Sequence, residues 1–135
     1  YGYLYDWKTT KQILTELGSN VPLGWRLPTR IEWKDLFSSV GGEKQCAPKL
    51  RANAGLWMEK IGGVNEPNSL ALLPGGFVDS KYQLNEIGRV GYFWTSTEKN
   101  TDYTYGVKIM SSSDKMVIEP INSKYKLSIR LVKTI

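Results

Sequence analysis

Two side chains with oxygen donors, Glu66 and Asn68, flank Pro67 in a stretch rich in glycine and asparagine. A proline in the cis form can turn both side chains towards one hard cation, and calcium takes about six to eight oxygen ligands in proteins. A match of only three residues in a loop also arises by chance, and an ordinary turn accounts for it. The sequence therefore favours a turn and predicts no metal or cofactor, with calcium at Glu66-Pro67-Asn68 as the alternative.

A second group of candidate residues combines an aromatic ring with amide and carboxylate side chains. Tyrosine rings stack on the apolar face of a pyranose, while amides and carboxylates form hydrogen bonds with its hydroxyl groups. Tyrosine is also enriched where proteins contact each other. The polar loops at residues 61–69 and 98–103 are the expected ligand face. The predicted contact cluster is Tyr103 with Asn100, Asp102 and Asn68.

The choice of Tyr103 as the anchor follows from its place in an alternating run. Val107 and Ile109 are expected in the core, so Tyr105, on the same face, is expected to be buried as well. Tyr103 is nearest the loop and is expected to stay accessible, although it could instead simply cover the core. Further rings considered for the surface are Tyr82 and Tyr125, with Asn85 as a polar neighbour.

Catalytic chemistry has few candidates, because the chain contains no histidine and one cysteine, Cys46. Histidine-dependent triads, histidine metal sites and an internal disulfide are therefore excluded within it. Cys46 is expected to be a small buried residue. Glu32 is explained as a helix cap and Glu98 as a residue at a strand end. The sequence therefore predicts a protein that is not an enzyme.

Charge and hydropathy exclude two further classes of partner. The 18 lysines and arginines exceed the 13 acidic residues, which gives a net charge of +5. The basic residues are scattered, so we expect no nucleic-acid binding. No run of about 18 apolar residues occurs, so no membrane span is predicted. The chain begins at Tyr1 without a methionine, from which we expect a domain excised from a longer protein; its oligomeric state stays open.

The elements that must position these residues begin with one strongly specified helix. Thr29 is the expected N-cap, and Glu32, three residues later, completes a capping box. Apolar residues then recur at the spacing of one buried helical stripe. Gly41-Gly42 ends the helix, because glycine adopts the left-handed cap conformation. The signals predict a helix over about residues 30–40 that buries Trp33, Leu36, Phe37 and Val40.

Further patterns place one helix before this one and several strands after it. The first helix is expected to begin at or just after Asp6 and to end near Gly18, with an apolar face of Trp7, Ile13, Leu14 and Leu17. Strands are predicted at residues 1–5, 88–97, 103–110, 115–121 and 125–132, and residues 70–78 as strand, turn and strand. The fold class is α+β, with two helices in the first third packed on a small twisted antiparallel sheet with long loops. The predicted core includes Trp25, Trp33 and Trp94.

The chain resembles the Fibrobacter succinogenes major paralogous domain, a module common in envelope proteins of Bacteroidetes and Fibrobacteres. The resemblance covers nearly the whole chain and is loosest over residues 43–68. The matching blocks are Tyr1-Gly2-Tyr3-Leu4-Tyr5-Asp6-Trp7, Gly24-Trp25-Arg26-Leu27-Pro28-Thr29 with Glu32-Trp33, Leu73-Pro74-Gly75-Gly76-Phe77, Gly91-Tyr92-Phe93-Trp94-Thr95-Ser96-Thr97-Glu98 and Ser128-Ile129-Arg130-Leu131-Val132-Lys133.

This family is similar to the C-type-lectin-like fold and to formylglycine-generating enzymes. The resemblance implies a single C-type-lectin-like domain over residues 1–135, with its termini in one sheet and its long loops on the opposite side. It also implies a location outside the cytoplasm, at the cell surface or secreted. The calcium site of lectins needs a Trp-Asn-Asp partner, where this chain has Trp94-Thr95-Ser96. Formylglycine-generating activity needs two active-site cysteines, where this chain has Cys46 alone.

The patterns and the resemblance together predict a non-enzymatic extracytoplasmic binding module that recognises a glycan. The alternative is a structural or adhesive domain of a surface lipoprotein or appendage, which would bind protein. Exposed aromatic rings beside asparagine and aspartate favour a sugar ligand, whereas a flat apolar patch favours a protein partner.

Overall fold

Helices dominate the first third of the chain and strands the remainder, in a computed structural model that describes residues 3–16, 25–51, 57 and 72–133. The helices are α1 (Trp7–Glu16), α2 (Arg30–Ser39) and α3 (Ala47–Leu50). The strands are β1 (Trp25–Arg26), β2 (Phe77–Val78), β3 (Leu84–Asn85), β4 (Val90–Glu98), β5 (Tyr103–Met110), β6 (Met116–Asn122) and β7 (Val132–Lys133). The α+β class predicted from the sequence is confirmed.

Helix α2 begins and ends where its sequence signals predict. The Thr29 hydroxyl accepts a hydrogen bond of 3.1 Å from the Glu32 amide, and the Glu32 carboxylate accepts one of 2.9 Å from the Thr29 amide. At the other end, the amide of Gly42 donates to the carbonyl of Phe37 over 2.7 Å. Gly41 and Gly42 have φ angles of 109° and 93°, a conformation that favours glycine. The capping box and the glycine stop are therefore confirmed.

Helix α1 is capped by Asp6, whose carboxylate accepts a 2.7 Å hydrogen bond from the Thr9 amide. The helix buries Trp7, while Ile13 and Leu14 are half-buried. This agrees with the predicted apolar face, except that Leu17 lies outside the described residues. Residues 1 and 2 of the strand predicted over residues 1–5 lie outside the described residues, and among residues 3–5 only Tyr5 forms a bridge.

The central sheet is an antiparallel meander in the order β4-β5-β6, as the alternation along the second half of the chain predicts. The register places Phe93 opposite Val107 and Trp94 opposite Gly106. Because neighbouring residues in a strand point to opposite faces, Phe93 and Trp94 enter different layers. The ladder is interrupted between Trp94 and Glu98, where a bulge shifts the register.

Each face of this sheet carries a separate hydrophobic core. The first core lies under α2 and α3 and contains Trp33, Phe37, Cys46, Ala47, Leu50, Trp57, Leu72, Phe93, Val107, Ile109 and Met116. The second core contains Trp7, Leu27, Trp94, Ile121 and Leu127, with Phe77, Tyr92 and Tyr125 packed against it. The expected burial of Cys46, Val107 and Ile109 is confirmed, and Tyr105 is half-buried.

Residues 126–128 bring the two ends of the chain together. Lys126 pairs with Val78 of β2, Leu127 pairs with Tyr5, and Ser128 pairs with β4. Because consecutive residues bond to different neighbours, no continuous ladder forms. The strand predicted over residues 125–132 is therefore wrong in extent, and only β7 at its end is a regular strand.

Two further predictions need correction. Trp25 is 40% exposed rather than buried, since β1 has only two residues and pairs with β7 alone among the described strands. Its ring therefore has few neighbours to pack against. Residues 74–76 do not form a hairpin turn: β2 pairs with β3 instead, and Leu72 pairs with Arg51.

Candidate ligand-binding groove

The turn between β4 and β5 holds two of the four residues of the predicted contact cluster, Asn100 and Asp102, and Tyr103 follows as the first residue of β5. The side-chain oxygen of Asn100 accepts hydrogen bonds of 2.9 Å from the amides of Asp102 and Tyr103. Asn100 therefore stabilises a tight turn. The long loop that the sequence predicts at residues 98–103 is shortened to residues 99–102 between β4 and β5. Tyr103 is 43% exposed, as predicted. Asn68, like Glu66 and Pro67, lies outside the described residues.

Tyr103 is one of the residues that line a groove of about 280 Å³ beside the second core. We call this depression the aromatic groove. Neither Asn100 nor Asp102 lines it. Its lining residues are Phe77, Tyr92, Tyr103, Glu119, Pro120, Ile121, Asn122, Tyr125 and Leu127. The structure thus joins Tyr103 to Tyr125, and adds residues from β2, β4 and β6 that sequence reasoning did not select.

Three aromatic rings form the apolar side of the aromatic groove. The Phe77 and Tyr125 rings are stacked, with centroids 5.8 Å apart and an interplanar angle of 9°. Tyr92 meets Phe77 edge to face, with centroids 5.1 Å apart. Both arrangements are favourable for ring quadrupoles and hold the side chains in fixed orientations. The rings therefore provide a preformed apolar surface.

Glu119 and Asn122 of β6 supply the polar side. The Tyr92 hydroxyl donates a 3.2 Å hydrogen bond to Oε1 of Glu119, and no described residue donates to Oε2. Burial, reinforced by the nearby Glu119 carboxylate, raises the pKa of Tyr92 well above its usual value. Tyr92 therefore keeps its proton and serves as a donor. The Asn122 side-chain oxygen accepts from the Lys124 amide over 2.9 Å, and Asn122 also lines the groove.

A second depression, of about 400 Å³, adjoins the aromatic groove because Phe77 and Tyr92 line both. We call it the basic depression. Its other lining residues are Glu86, Arg89, Val90, Lys108, Met110, Ser111 and Ser112. The Lys108 ammonium group lies 5.6 Å from the centroid of the Tyr92 ring, within the range of a cation–π contact.

The sequence model of the family described as the Fibrobacter succinogenes major domain matches residues 1–133 of this chain. The chain belongs to this family. No curated protein and no solved structure matches it. The match spans every residue of both depressions, so the two surfaces are part of the family domain itself.

A third depression of this Fibrobacter succinogenes major domain, of about 670 Å³, includes two ion pairs in its lining. Lys11 forms a 2.9 Å ion pair with Glu98, which also accepts a 2.7 Å hydrogen bond from the Trp7 indole. Arg26 forms a two-point ion pair with Glu32, and its hydrogen bonds lower the Glu32 pKa to about 2. Glu98 is thus a strand-end residue, as expected, and these charges stabilise the packing of α1 and α2.

Other chemistry has little support in the described part of this family domain. Cys46 is fully buried, and burial raises the pKa of its thiol to about 11; it is therefore a poor nucleophile. No group of three or more His, Cys, Asp or Glu side chains lies together among the described residues. No described helix is long and apolar enough to span a membrane.

Sequence reasoning missed Phe77, Tyr92, Glu119 and Asn122 as site residues. A signal existed in β6, where Val117, Glu119 and Ile121 alternate with residues of the opposite face. The pattern gives the face of each residue within its own strand. It does not give the register that brings Glu119 within hydrogen-bond distance of Tyr92.

Proposed function

We propose that this domain is a non-enzymatic, extracytoplasmic binding module and that the aromatic groove binds a glycan. The observation that carries the proposal is the set of fixed rings, Phe77, Tyr92 and Tyr125, facing a carboxylate and an amide on β6. The location outside the cytoplasm and the C-type-lectin-like character of the fold are parts of the same proposal, and both rest on the family resemblance.

The chemistry of the aromatic groove matches a pyranose ring. A sugar presents an apolar face of C–H groups and a rim of hydroxyl groups, so it needs an aromatic platform with a few fixed polar partners. Glu119 accepts hydrogen bonds, and the NH₂ group of Asn122 donates them. The volume of about 280 Å³ is at the small end for ligand pockets. One sugar ring is therefore the expected occupant of the aromatic groove.

A second candidate function, protein binding, is favoured by a different observation. The β2–β3 hairpin and the residues after it expose Tyr82 (82%), Leu84 (54%) and Ile87 (46%). Large apolar side chains grouped on one projecting hairpin are typical of protein contact surfaces. This surface supports the alternative of a structural or adhesive domain in a lipoprotein or appendage.

A glycan array, probed with and without calcium, tests the proposal when wild-type protein is compared with Tyr103→Ala. Loss of one stacking ring is expected to weaken the best-binding oligosaccharide about three- to tenfold, because such ring contacts contribute about 0.5–1.5 kcal/mol. Titration calorimetry with that oligosaccharide measures the change.

The matched control is Tyr3→Ala, which removes an 83% exposed ring outside the groove and should leave the affinity unchanged. The melting temperature of each variant shows whether folding is intact. A large loss of stability in Tyr103→Ala with unchanged affinity would make Tyr103 a cover of the core. An array without any bound glycan would contradict the proposed function.

A further inference from the structure

The aromatic groove and the basic depression differ in charge although they share two side chains. The aromatic groove contains one charged residue, the carboxylate Glu119. The basic depression contains two basic side chains, Arg89 and Lys108, and one acidic side chain, Glu86. Since Phe77 and Tyr92 line both depressions, the two are neighbours, and a ligand with more than one ring can reach both across these two side chains.

Lys108 is the residue of the basic depression that we expect to bind an anion. It lies on β5 directly opposite Tyr92 of β4, and its side chain is half-buried against that ring. Among the described residues it forms no ion pair with a carboxylate. A half-buried ammonium group without an acidic partner attracts an anion more strongly than a solvated surface lysine does.

One hydroxyl-bearing residue beside Lys108 suits the same type of ligand. Ser112 lines the basic depression just after β5 and is exposed, whereas Ser111 is 1% exposed and is closed to a ligand. A hydroxyl group accepts and donates hydrogen bonds, so Ser112 can bind an oxygen atom of an anionic group or a hydroxyl group of its sugar. The basic depression therefore combines a cation, one accessible hydroxyl group and an aromatic wall.

We propose that the two depressions form one continuous groove that binds an acidic oligosaccharide, with a neutral ring in the aromatic groove and an anionic substituent at Lys108. This inference rests on the proposed glycan-binding function. Carboxylate and sulfate groups share the chemistry that an ammonium group recognises, since lysine binds as a point charge rather than as a planar fork. A domain with a net charge of +5 also favours an acidic ligand at long range.

Titration calorimetry at low salt tests the inference with matched tetrasaccharides. A partly methyl-esterified tetragalacturonate carries both neutral rings and rings with a carboxylate, its full methyl ester is the neutral control, and a κ-carrageenan tetrasaccharide carries sulfate on alternate rings. We expect an acidic probe to bind at least about tenfold more tightly than the methyl ester, and its affinity to fall as salt is raised. The acidic probe whose affinity falls when Lys108 is replaced shows whether Lys108 binds a carboxylate or a sulfate.

Lys108→Gln removes the charge and keeps most of the side chain against Tyr92. It is expected to weaken the acidic probe about fivefold and to leave the methyl ester unchanged, a size typical of one partly solvated charge contact. Lys108→Arg should retain binding. The matched control is Lys34→Gln. Lys34 is an exposed lysine of α2 on the other face of the sheet, so this variant loses the same charge and should leave the affinity for both probes unchanged.

The outcomes separate this inference from the proposed function. Preference for neutral glycans, or an acidic probe unaffected by Lys108→Gln in a variant with wild-type melting temperature, would overturn the inference and leave glycan binding intact. A wild-type domain that binds neither the acidic nor the neutral probes, and no glycan on the array, would overturn both. Binding to a protein partner through the β2–β3 hairpin would then be the alternative to pursue.

Discussion

Gly106 lies on β5 opposite Trp94, and its lack of a side chain allows the second core to close. A methyl group at this position would lie 2.4 Å from Cδ1 of Ile121 and 3.3 Å from Cδ1 of Leu127. The first distance is far below van der Waals contact. Trp94 and Leu127 are both fully buried, so the surrounding side chains have little room to move. At the scale of the single residue, the absence of a side chain thus makes room for the side chains of Ile121 and Leu127 over β5.

Gly106→Ala is expected to lower the free energy of unfolding by about 1–3 kcal/mol, because overpacking forces neighbouring side chains out of their preferred rotamers. Chemical denaturation measures the change. Ile121→Val removes Cδ1, the atom nearest the added methyl group. The double variant should therefore lose less stability than the sum of the two single variants. If the double variant loses as much stability as the two single variants together, the methyl group added at Gly106 does not contact Ile121.

Trp33 packs helix α2 against the sheet within the first core. Trp33 is 2% exposed, and its ring lies 6.2 Å from both the Phe37 and the Phe93 rings. Phe37 is on the same helix and Phe93 is on β4, so Trp33 joins the two elements. The capping box at Thr29 sets where the helix starts, and hence which side chains face the sheet.

Trp33→Ala is expected to lower the free energy of unfolding by about 3–5 kcal/mol, through lost burial and the cavity that remains. The control on the same helix is Ile31→Ala, since Ile31 is 69% exposed and should change stability by less than about 0.5 kcal/mol. Thermal and chemical denaturation of both variants provide the comparison. An unchanged melting temperature in Trp33→Ala would place Trp33 outside the core and contradict this account of α2.

At the scale of the whole molecule, folding depends on two cores and on the pairing of the chain ends. Tyr5 pairs with Leu127, and β1 pairs with β7, so segments far apart in sequence close the domain. Strand β6 pairs only with β5 among the described strands, and Pro120 within it cannot donate a backbone hydrogen bond. Proline on an edge strand limits pairing with other chains.

Calcium is expected to leave the melting temperature unchanged, because the two cores among the described residues consist of apolar side chains and the Trp-Asn-Asp partner of a lectin calcium site is replaced by Trp94-Thr95-Ser96. A ligand that binds only the native state raises its stability by mass action. Differential scanning calorimetry in millimolar calcium, with magnesium as the matched control, makes the test. A rise of several degrees that Glu66→Gln abolishes would instead establish a calcium site at Glu66-Pro67-Asn68.

The sequence by itself determined the features that depend on neighbours within one element. Helix α2 was predictable from Thr29 to Gly42, because capping and helical spacing are local. Strand β5 was predictable over its full length for the same reason, since alternation follows from the geometry of one strand. The burial of Ile109 follows from that alternation, and the exposure of Tyr103 follows from its place next to the loop. The family was also recognisable from short ordered blocks.

Only the tertiary structure decided which side chains meet in the groove. Phe77, Tyr92, Glu119 and Tyr125 come from four separate segments, and no local pattern specifies the register between them. The exposure of Trp25 has the same origin, because burial depends on which elements pack against a ring and not on the ring's own apolarity. The tertiary structure likewise decided that Asn100 stabilises a turn, because this depends on the short connection between β4 and β5. Periodicity gives the face of a residue on its own element, whereas a binding site requires the distances between elements.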